Sequence, residues 1–168
     1  HDRFGLHGSV VSAVDLLRGI GRLAGMNVCQ VEGATGYIDT NYTGKMQAAL
    51  QELKNGQDYV YIHVEAPDEC GHRGEVQNKV KAIEDIDRLI LGPLLEQLPQ
   101  FGDYTVMVLP DHPTPLDIRT HVSTPVPYLL YRSNAEQDSG IACFTEAAAE
   151  TTGLLIDPGY TLIDRALQ

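Results

Sequence analysis

The sequence has 168 residues, which is enough for one well-buried domain and short for two. Hydrophobic residues make up 43% and charged residues 21%, as is ordinary for a water-soluble globular protein. The formal net charge of −11 argues against a nucleic-acid partner or an anionic membrane surface, because both attract a surplus of Lys and Arg. An anionic substrate would therefore need a local cationic device such as a metal ion.

The cysteines predict the cellular setting. Cys29, Cys70 and Cys143 lie far apart and match neither a disulfide framework nor a CxxC zinc pattern. We therefore predict a reducing, cytoplasmic location.

No apolar run approaches the roughly 18 residues that span a bilayer, and the start carries no signal-peptide pattern. The first residue is His1 rather than Met, which favours a piece of a longer protein.

The first part of the chain predicts helices around one short strand. Apolar residues at helical spacing predict a helix over residues 8–24, ended by Gly25. Residues 27–33 are predicted as a strand that leads into a loop rich in Gly and Thr. Residues 45–54 then have helical character.

The middle of the chain predicts two strands separated by a long helix. The β-branched and aromatic run at 59–64 indicates a buried strand, which Pro67 prevents from continuing into the following loop. Apolar residues at helical spacing predict a helix over 75–98. The pair Gly92-Pro93 should kink or split that helix, because proline lacks an N–H. Residues 104–109 are predicted as another strand.

The last part adds an apolar segment at 127–131 and a short helix at 143–152. Strands that alternate with helices of this length predict βαβ units and a mostly parallel sheet covered on both faces. The predicted fold class is therefore α/β, a three-layer α/β/α sandwich. No internal repeat, low-complexity tract or linker indicates a second domain.

Residues that commonly bind metals follow two of the predicted strands. Ligands of open α/β sheets bind at the carboxyl ends of the strands, where such residues would meet. Carboxylates and imidazoles without thiolates suit Mn²⁺, Zn²⁺, Co²⁺ or Mg²⁺ rather than a structural thiolate zinc site. The candidate ligands are Asp68, His72, Asp111, His112 and His121.

Each candidate also has an ordinary structural interpretation. Asp68 could be a solvated loop acid, Asp111 the cap of a turn and His121 a surface residue. Three of the six histidines lie just past predicted strands, and this concentration favours a metal site. His63 is better interpreted as a strand residue with a satisfied ring nitrogen, and Cys70 as a small buried side chain.

Three further polar positions keep two interpretations each. Glu65 and Glu69 could fix histidine tautomers behind a metal, or could be solvated loop acids. Lys45 follows the Gly- and Thr-rich loop and could contact a substrate phosphate or carboxylate. It could equally be a solvated lysine at the start of a helix.

Four blocks of sequence agree in order and approximate spacing with one known family. They are GATGYIDTNYTGK, HVEAPDECGH, KAIEDID and LPDHPTPLDIRTH. The sequence resembles the archaeal-type cofactor-independent phosphoglycerate mutases, which belong to the alkaline phosphatase-like metalloenzyme superfamily. The resemblance runs from about residue 8 to residue 131, and the tail adds little.

The resemblance implies a phosphoryl-transfer site with two divalent metal ions and no 2,3-bisphosphoglycerate. By position, Asp68, His72 and His121 match the ligands of one metal, and Asp111 and His112 match two ligands of the other. Mn²⁺ is the natural choice of metal, with Zn²⁺, Co²⁺ and Mg²⁺ left open. A serine nucleophile would take the phosphoryl group of a phosphorylated glycerate and return it to the neighbouring carbon, a step of glycolysis and gluconeogenesis.

The sequence also departs from the family pattern. The family's nucleophilic serine and a further metal-binding aspartate belong to an N-terminal segment, and no serine here lies in a matching context. We expect residues 1–168 to form the C-terminal part of the metal-binding domain, incomplete on its N-terminal side and short of ligands for the second metal. The fragment alone should be inactive, and an uncovered sheet edge or apolar face should let it self-associate.

Two other classes of function remain open. One is a different phosphotransferase or phosphatase of the same superfamily, including a phosphopentomutase-like enzyme or the role proposed for relatives as a homoserine kinase. The other is a metal-binding α/β module without catalytic activity.

Overall fold

The computed structural model describes residues 4–167, which divide into two compact units. The first unit contains the described residues up to Gln100 together with Thr114–Thr120. The second contains Phe101–Pro113 and the described residues from His121 onward. The chain changes unit once within the 3₁₀ turn at Leu98–Phe101 and twice in the loop that runs through residues 113–121, and neither place has the composition of a linker. The assignment of residues 1–168 to one domain of a longer protein stays a prediction.

The first unit is built on a parallel sheet of three strands. These are β1 (Gly8–Val11), β2 (Asn27–Cys29) and β3 (Tyr59–Ile62), in the order β2-β1-β3. Val10 of the central strand pairs with Val28 on one side and Tyr61 on the other. This sheet is the parallel sheet that the sequence predicts, and it places the chain in the α/β class.

The prediction of a helix over residues 8–24 is wrong in its first half. Residues Gly8–Val11 form β1, and helix α1 occupies only Asp15–Leu23. Ser9, Val10 and Val11 are all buried, as expected for the central strand of a covered parallel sheet. Such a strand has no polar face, so a short apolar run is compatible with either helix or strand.

Helix α2 (Tyr42–Lys54) confirms the helix predicted at 45–54 and begins three residues earlier. The side chain of Asn41 accepts a hydrogen bond from the N–H of Gly44 at 2.8 Å, which satisfies one of the unpaired donors of the first turn. The helix contributes to the main apolar core of the first unit. That core contains Tyr42, Met46, Leu50, Ala66, Ala82 and Ile90.

The residues after Pro67 form a helix rather than the predicted loop. Helix α3 spans Ala66–Arg73, with the proline in its first turn. A proline is tolerated there because the N–H groups of the first turn have no partner within the helix. The helix ends at Gly74, which has a φ of 69°. Asp68 and His72 therefore lie one helical turn apart.

The long helix predicted at 75–98 is split, as the sequence indicates. Helix α4 (Val76–Ile86) continues into a π-helical turn at Asp87–Leu91 and then into α5 (Gly92–Gln97). The N–H of Gly92 donates to a carbonyl five residues earlier, as in a π-helix. The following residue, Pro93, has no N–H to give. A 3₁₀ turn then leads out of the helix.

The second unit has a two-stranded antiparallel sheet. Strand β4 (Thr105–Val108) pairs with β5 (Leu129–Arg132), with Thr105 opposite Arg132. The strand predicted at 104–109 is confirmed, and the apolar segment at 127–131 forms most of the second strand. The antiparallel pairing was not predicted.

Two short helices complete the second unit. Helix α6 (Glu146–Thr151) lies within the helix predicted at 143–152, and α7 (Leu162–Ala166) follows a 3₁₀ turn. Among the residues that the structure describes, no helix combines the length and apolar character needed to cross a bilayer.

Candidate functional site

Helix α3 brings two of the candidate ligands together. Nε2 of His72 lies 3.5 Å from Oδ2 of Asp68, and each side chain is about one third exposed. Their spacing of four residues puts them on the same face of the helix. Both side chains are therefore partly accessible to solvent.

The other ring nitrogen of His72 fixes its tautomer. Nδ1 lies 2.9 Å from the carbonyl oxygen of Arg119. A carbonyl only accepts hydrogen bonds, so Nδ1 carries the proton and, in the neutral ring, Nε2 presents a lone pair. The lone pair of Nε2 and the carboxylate oxygen Oδ2 of Asp68 then face each other. Two acceptors at this distance are a suitable pair of ligands for a cation.

The carboxylate of Asp68 is fixed in the same way. The hydroxyl of Thr114 donates to Oδ1 of Asp68, and the main-chain carbonyl of Thr114 accepts from Nζ of Lys79 at 2.8 Å. Thr114 is buried. The hydroxyl of this buried residue therefore orients one carboxylate oxygen of Asp68.

The second unit contains the other three candidate ligands. The N–H of His112 donates to Oδ1 of Asp111 at 3.0 Å, and Nε2 of His112 lies 3.3 Å from Oδ2 of Asp111. The rings of His112 and His121 have their centroids 3.7 Å apart. Pro113 follows His112, and Val122 follows His121. The N–H of Val122 donates to the carbonyl of Pro113 at 3.1 Å, which holds the main chain beside the two histidines together. A carboxylate and two imidazoles therefore lie together.

The structure thus places Asp68 with His72 in one unit and Asp111 with His112 and His121 in the other. The donor atoms are oxygen and nitrogen, as the sequence indicates. The assignment of these residues to two particular metal ions stays a prediction.

A buried polar network lies just past the ends of strands β1 and β3, and the sequence patterns do not predict it. Nζ of Lys45 donates to the carbonyl of His63 at 2.8 Å and to Oε2 of Glu65 at 3.2 Å. Oε1 of Glu65 accepts from Oγ of Ser12 at 3.0 Å and lies 3.0 Å from Nδ1 of His63. Ser12 falls within the segment predicted as a helix, and His63 and Glu65 fall at the end of the strand predicted at 59–64.

The charges of this network compensate each other. Burial by itself raises the pKa of the Glu65 carboxyl, but the hydrogen bond from His63 and the charge of Lys45 outweigh it and hold that pKa well below its usual range. Burial lowers the pKa of Lys45, and Glu65 opposes this effect. The network is therefore an ion pair whose carboxylate also forms hydrogen bonds with a histidine and a serine.

These contacts decide several of the open interpretations. The solvated interpretation of Lys45 is wrong, because its side chain is fully buried, and Glu65 is not a solvated loop acid either. Contact between Lys45 and a substrate stays a prediction. The satisfied ring nitrogen expected for His63 is confirmed. Cys70 is the small buried residue that was expected, and burial raises the pKa of its thiol.

Glu69 has an exposed partner on its own helix. Its Oε2 lies 3.6 Å from a guanidinium nitrogen of Arg73, and both side chains are about half exposed. The solvated interpretation of Glu69 therefore fits the structure.

Comparisons with known proteins agree on one protein family. A sequence profile of the Metalloenzyme superfamily matches residues 1–164. A Geobacter sulfurreducens protein named as a probable 2,3-bisphosphoglycerate-independent phosphoglycerate mutase is 50% identical over 167 residues, covering 99% of this chain and 42% of that protein. A Methanothrix thermoacetophila protein named as the same mutase is 48% identical over 164 residues, covering 97% of this chain and 41% of its own length.

Solved structures show the same similarity. The PH0037 protein of Pyrococcus horikoshii superposes with a TM-score of 0.88 at 29% identity, over 99% of this chain and 49% of that one. The cofactor-independent phosphoglycerate mutase of Thermoplasma acidophilum superposes with a TM-score of 0.66 at 25% identity, over 97% and 36%. The chain spans about two fifths of the length of the curated relatives that it matches.

Proposed function

Because the chain belongs to the metalloenzyme superfamily, we propose that it supplies metal-binding residues of a cofactor-independent phosphoglycerate mutase. The complete protein would interconvert 2-phosphoglycerate and 3-phosphoglycerate through a phosphoserine, without 2,3-bisphosphoglycerate. Relatives with 48% and 50% identity bear this name, which supports the proposal. The reaction would serve glycolysis and gluconeogenesis.

One observation carries the metal-binding part of the proposal. Oδ2 of Asp68 and Nε2 of His72 lie 3.5 Å apart, while the remaining polar atom of each side chain already has a partner. A carboxylate and an imidazole arranged in this way fit a divalent cation such as Mn²⁺, with Zn²⁺, Co²⁺ and Mg²⁺ also suited to these donors.

We propose the same division of ligands that the family resemblance implies. Asp68, His72 and His121 would hold one metal ion, and Asp111 and His112 would contribute to the other. When bound, two such ions neutralise charge on phosphoryl oxygens and lower the pKa of a serine hydroxyl. The contacts within each unit would keep the donor atoms oriented before an ion arrives.

The electrostatics of the chain support a metal-dependent site. The formal charge of −11 does not attract a phosphorylated glycerate, which is itself anionic. The buried cation of Lys45 is already compensated by Glu65. Bound metal ions would supply the positive charge that positions the phosphoryl group.

The remaining expectations concern the surroundings of the protein. We propose a phosphorylated glycerate as the substrate, with neither nucleic acid nor membrane as a partner, and a cytoplasmic location. We also expect the 168-residue chain alone to be inactive, because none of its serines matches the family's nucleophile. Trapping a phosphoserine on the isolated chain would contradict this expectation.

Metal binding can be tested on the chain itself. Equilibrium dialysis against Mn²⁺ should show bound metal that Asp68→Ala and His121→Ala remove or strongly weaken. Glu69→Ala is the matched control, because it removes an exposed carboxylate from the same helix. If Asp68→Ala and His121→Ala bind as much Mn²⁺ as the unmodified chain, the proposed ligands are wrong.

The reaction is tested on the complete protein. An assay coupled through enolase should detect formation of 2-phosphoglycerate from 3-phosphoglycerate when Mn²⁺ is present, and none when a chelator is added. A complete protein that binds Mn²⁺ through Asp68 and yet does not interconvert the two phosphoglycerates would favour another phosphotransferase or a phosphatase of the superfamily.

A further inference from the structure

We propose that the segment Thr114–Thr120, called the positioning segment below, presets the metal ligands on helix α3. Thr114 orients the carboxylate of Asp68, and the main chain of Arg119 orients the ring of His72. The inference rests on the proposed function only in taking Asp68 and His72 as metal ligands. Neither Thr114 nor Arg119 is assigned a direct contact with metal or substrate.

The first anchor of the positioning segment is Thr114. Its side chain is buried, its hydroxyl donates to Oδ1 of Asp68, and its carbonyl accepts from Lys79 at 2.8 Å. The two hydrogen bonds hold the residue between α3 and α4. A carboxylate with one oxygen fixed in this way loses rotational freedom, and its other oxygen stays directed toward His72.

The packing of Thr114 on α3 depends on Gly71. A Cβ atom at residue 71 would lie 2.5 Å from the carbonyl oxygen of Thr114 and 2.8 Å from Nζ of Lys79. Such distances are too short for any side chain, so only glycine lets the segment approach the helix this closely. The approach places the Thr114 hydroxyl within reach of a residue one turn earlier.

The second anchor is Arg119. With a φ of 58°, it is the only residue other than glycine with a positive φ between residues 4 and 167. A residue with a Cβ adopts this conformation at a cost, and keeps it where surrounding contacts require it. The N–H of Arg119 donates to the carbonyl of Pro115 at 2.8 Å, and its own carbonyl accepts from Nδ1 of His72 at 2.9 Å.

The side chain of Arg119 packs on the end of the same helix. Its guanidinium lies against Gly74, where a Cβ would come within 2.8 to 2.9 Å of guanidinium atoms. Gly74 ends helix α3, so the arginine covers the end of the helix that carries both ligands. The positioning segment therefore contacts α3 at both ends of the Asp68–His72 pair.

These contacts have one chemical consequence. His72 is held as the tautomer with hydrogen on Nδ1, so that in the neutral ring Nε2 is the nitrogen that carries the lone pair. Asp68 is held with Oδ2 on the same side. Substitution of a residue that hydrogen-bonds to a metal ligand, without contacting the metal itself, usually weakens metal affinity by about 10- to 100-fold.

Two pairs of variants separate positioning from general packing. Thr114→Val keeps the shape of the side chain but removes the hydroxyl, and Thr114→Ser restores it. Arg119→Gly permits a positive φ, whereas Arg119→Val disfavours it, and both lack the guanidinium. Comparison within each pair therefore isolates one hydrogen bond and one main-chain conformation. Circular dichroism of each variant checks that it is folded.

The first measurement is the tautomer of His72 in the metal-free chain. Its ¹⁵N ring shifts at about pH 8, where an ordinary imidazole is neutral, report which nitrogen carries hydrogen. A His72→Ala spectrum assigns the signal. We expect the Nδ1–H tautomer in the unmodified chain and in Arg119→Gly, and a mixture of tautomers in Arg119→Val. A different tautomer in the unmodified chain overturns the inference, whatever the activity of the complete protein.

The second measurement is the affinity of the chain for Mn²⁺, from the electron paramagnetic resonance signal of the free ion. We expect Thr114→Val and Arg119→Val to bind about tenfold more weakly, and Thr114→Ser and Arg119→Gly to bind nearly as the unmodified chain does. Unchanged affinity in both valine variants overturns the inference. Weakened affinity in these variants supports it even if the complete protein has no mutase activity.

Discussion

The ammonium group of Lys45 lies 3.2 Å from Oε2 of Glu65, and the lysine side chain is fully buried. An ion pair removed from water in this way is not a strong source of stability, because desolvation of both charges offsets their attraction. Removal of one partner, however, leaves the other charge buried without compensation. The pair therefore links α2 to the segment between β3 and α3, and substitution of one partner alone should lower the stability of the fold.

We expect Lys45→Met to lower the free energy of unfolding by about 3 to 5 kcal/mol, as is typical when one partner of a buried pair is lost. Urea denaturation measures the change. Lys54→Met is the control, since Lys54 is exposed at the end of the same helix and its loss should cost less than about 0.5 kcal/mol. Equal effects of the two substitutions would contradict the importance of the pair.

The double variant Lys45→Met with Glu65→Leu sharpens this prediction. Because it removes both charges together, it should lose less stability than the sum of the two single variants. A fully additive result would mean that the two residues do not interact energetically.

The stability of the chain should depend on pH through Glu65. The contacts of this carboxyl hold its pKa below the ordinary value of 4.5, so the folded state favours the ionised form. Its contribution is therefore fully present above pH 4.5 and is lost as the pH falls through the lower, folded-state pKa. In Glu65→Gln this contribution is absent at every pH.

The measurement compares urea midpoints of the unmodified chain and Glu65→Gln over a series of acidic pH values. The difference between the two proteins should be largest near neutral pH and should shrink as the pH falls below 4.5. A difference that grows on acidification would show that the carboxyl is stabilised in its protonated form instead.

Much of the first unit could be predicted from local pattern, and its exceptions have identifiable causes. The helix at 45–54 and the strand at 59–64 follow from periodicity and β-branched residues. Strand β1 was missed because Val10 and Val11 are buried in the sheet, and a strand without a polar face has no alternation to detect. Helix α3 was missed because Pro67 can end a strand or begin a helix, and only the tertiary structure decides between them.

The candidate site likewise has residues that the sequence identifies and partners that it does not. Asp68, His72, Asp111, His112 and His121 could be identified because their residue types concentrate after strands. Partners that lie far away in sequence could not be identified: Thr114 is 46 residues from Asp68, and Arg119 is 47 residues from His72. Lys45 was ambiguous because burial of a charge depends on a partner, here Glu65, that lies in another element.

Mn²⁺ should stabilise the chain against heat. A ligand at 100 times its dissociation constant that binds only the folded state adds about 2.7 kcal/mol to the stability. We expect this gain in the unmodified chain and in Glu69→Gln, and its loss in Asp68→Asn, where the carboxylate becomes a neutral amide. Differential scanning calorimetry with and without Mn²⁺ measures the shift, and a chelator should reverse it. A full shift in Asp68→Asn would exclude this residue as a ligand.

The exposed face of helix α4 should drive self-association of the chain. Val76, Val80 and Ile83 are 52%, 48% and 54% exposed and lie at positions that share one face of the helix. An apolar stripe of this kind is commonly a site of protein contact. We expect concentration-dependent association in sedimentation velocity experiments, weakened by Val80→Glu. Gln77→Glu adds the same charge to an exposed position of α4 outside the stripe and should leave association unchanged. A chain that stays monomeric at high concentration would refute the prediction.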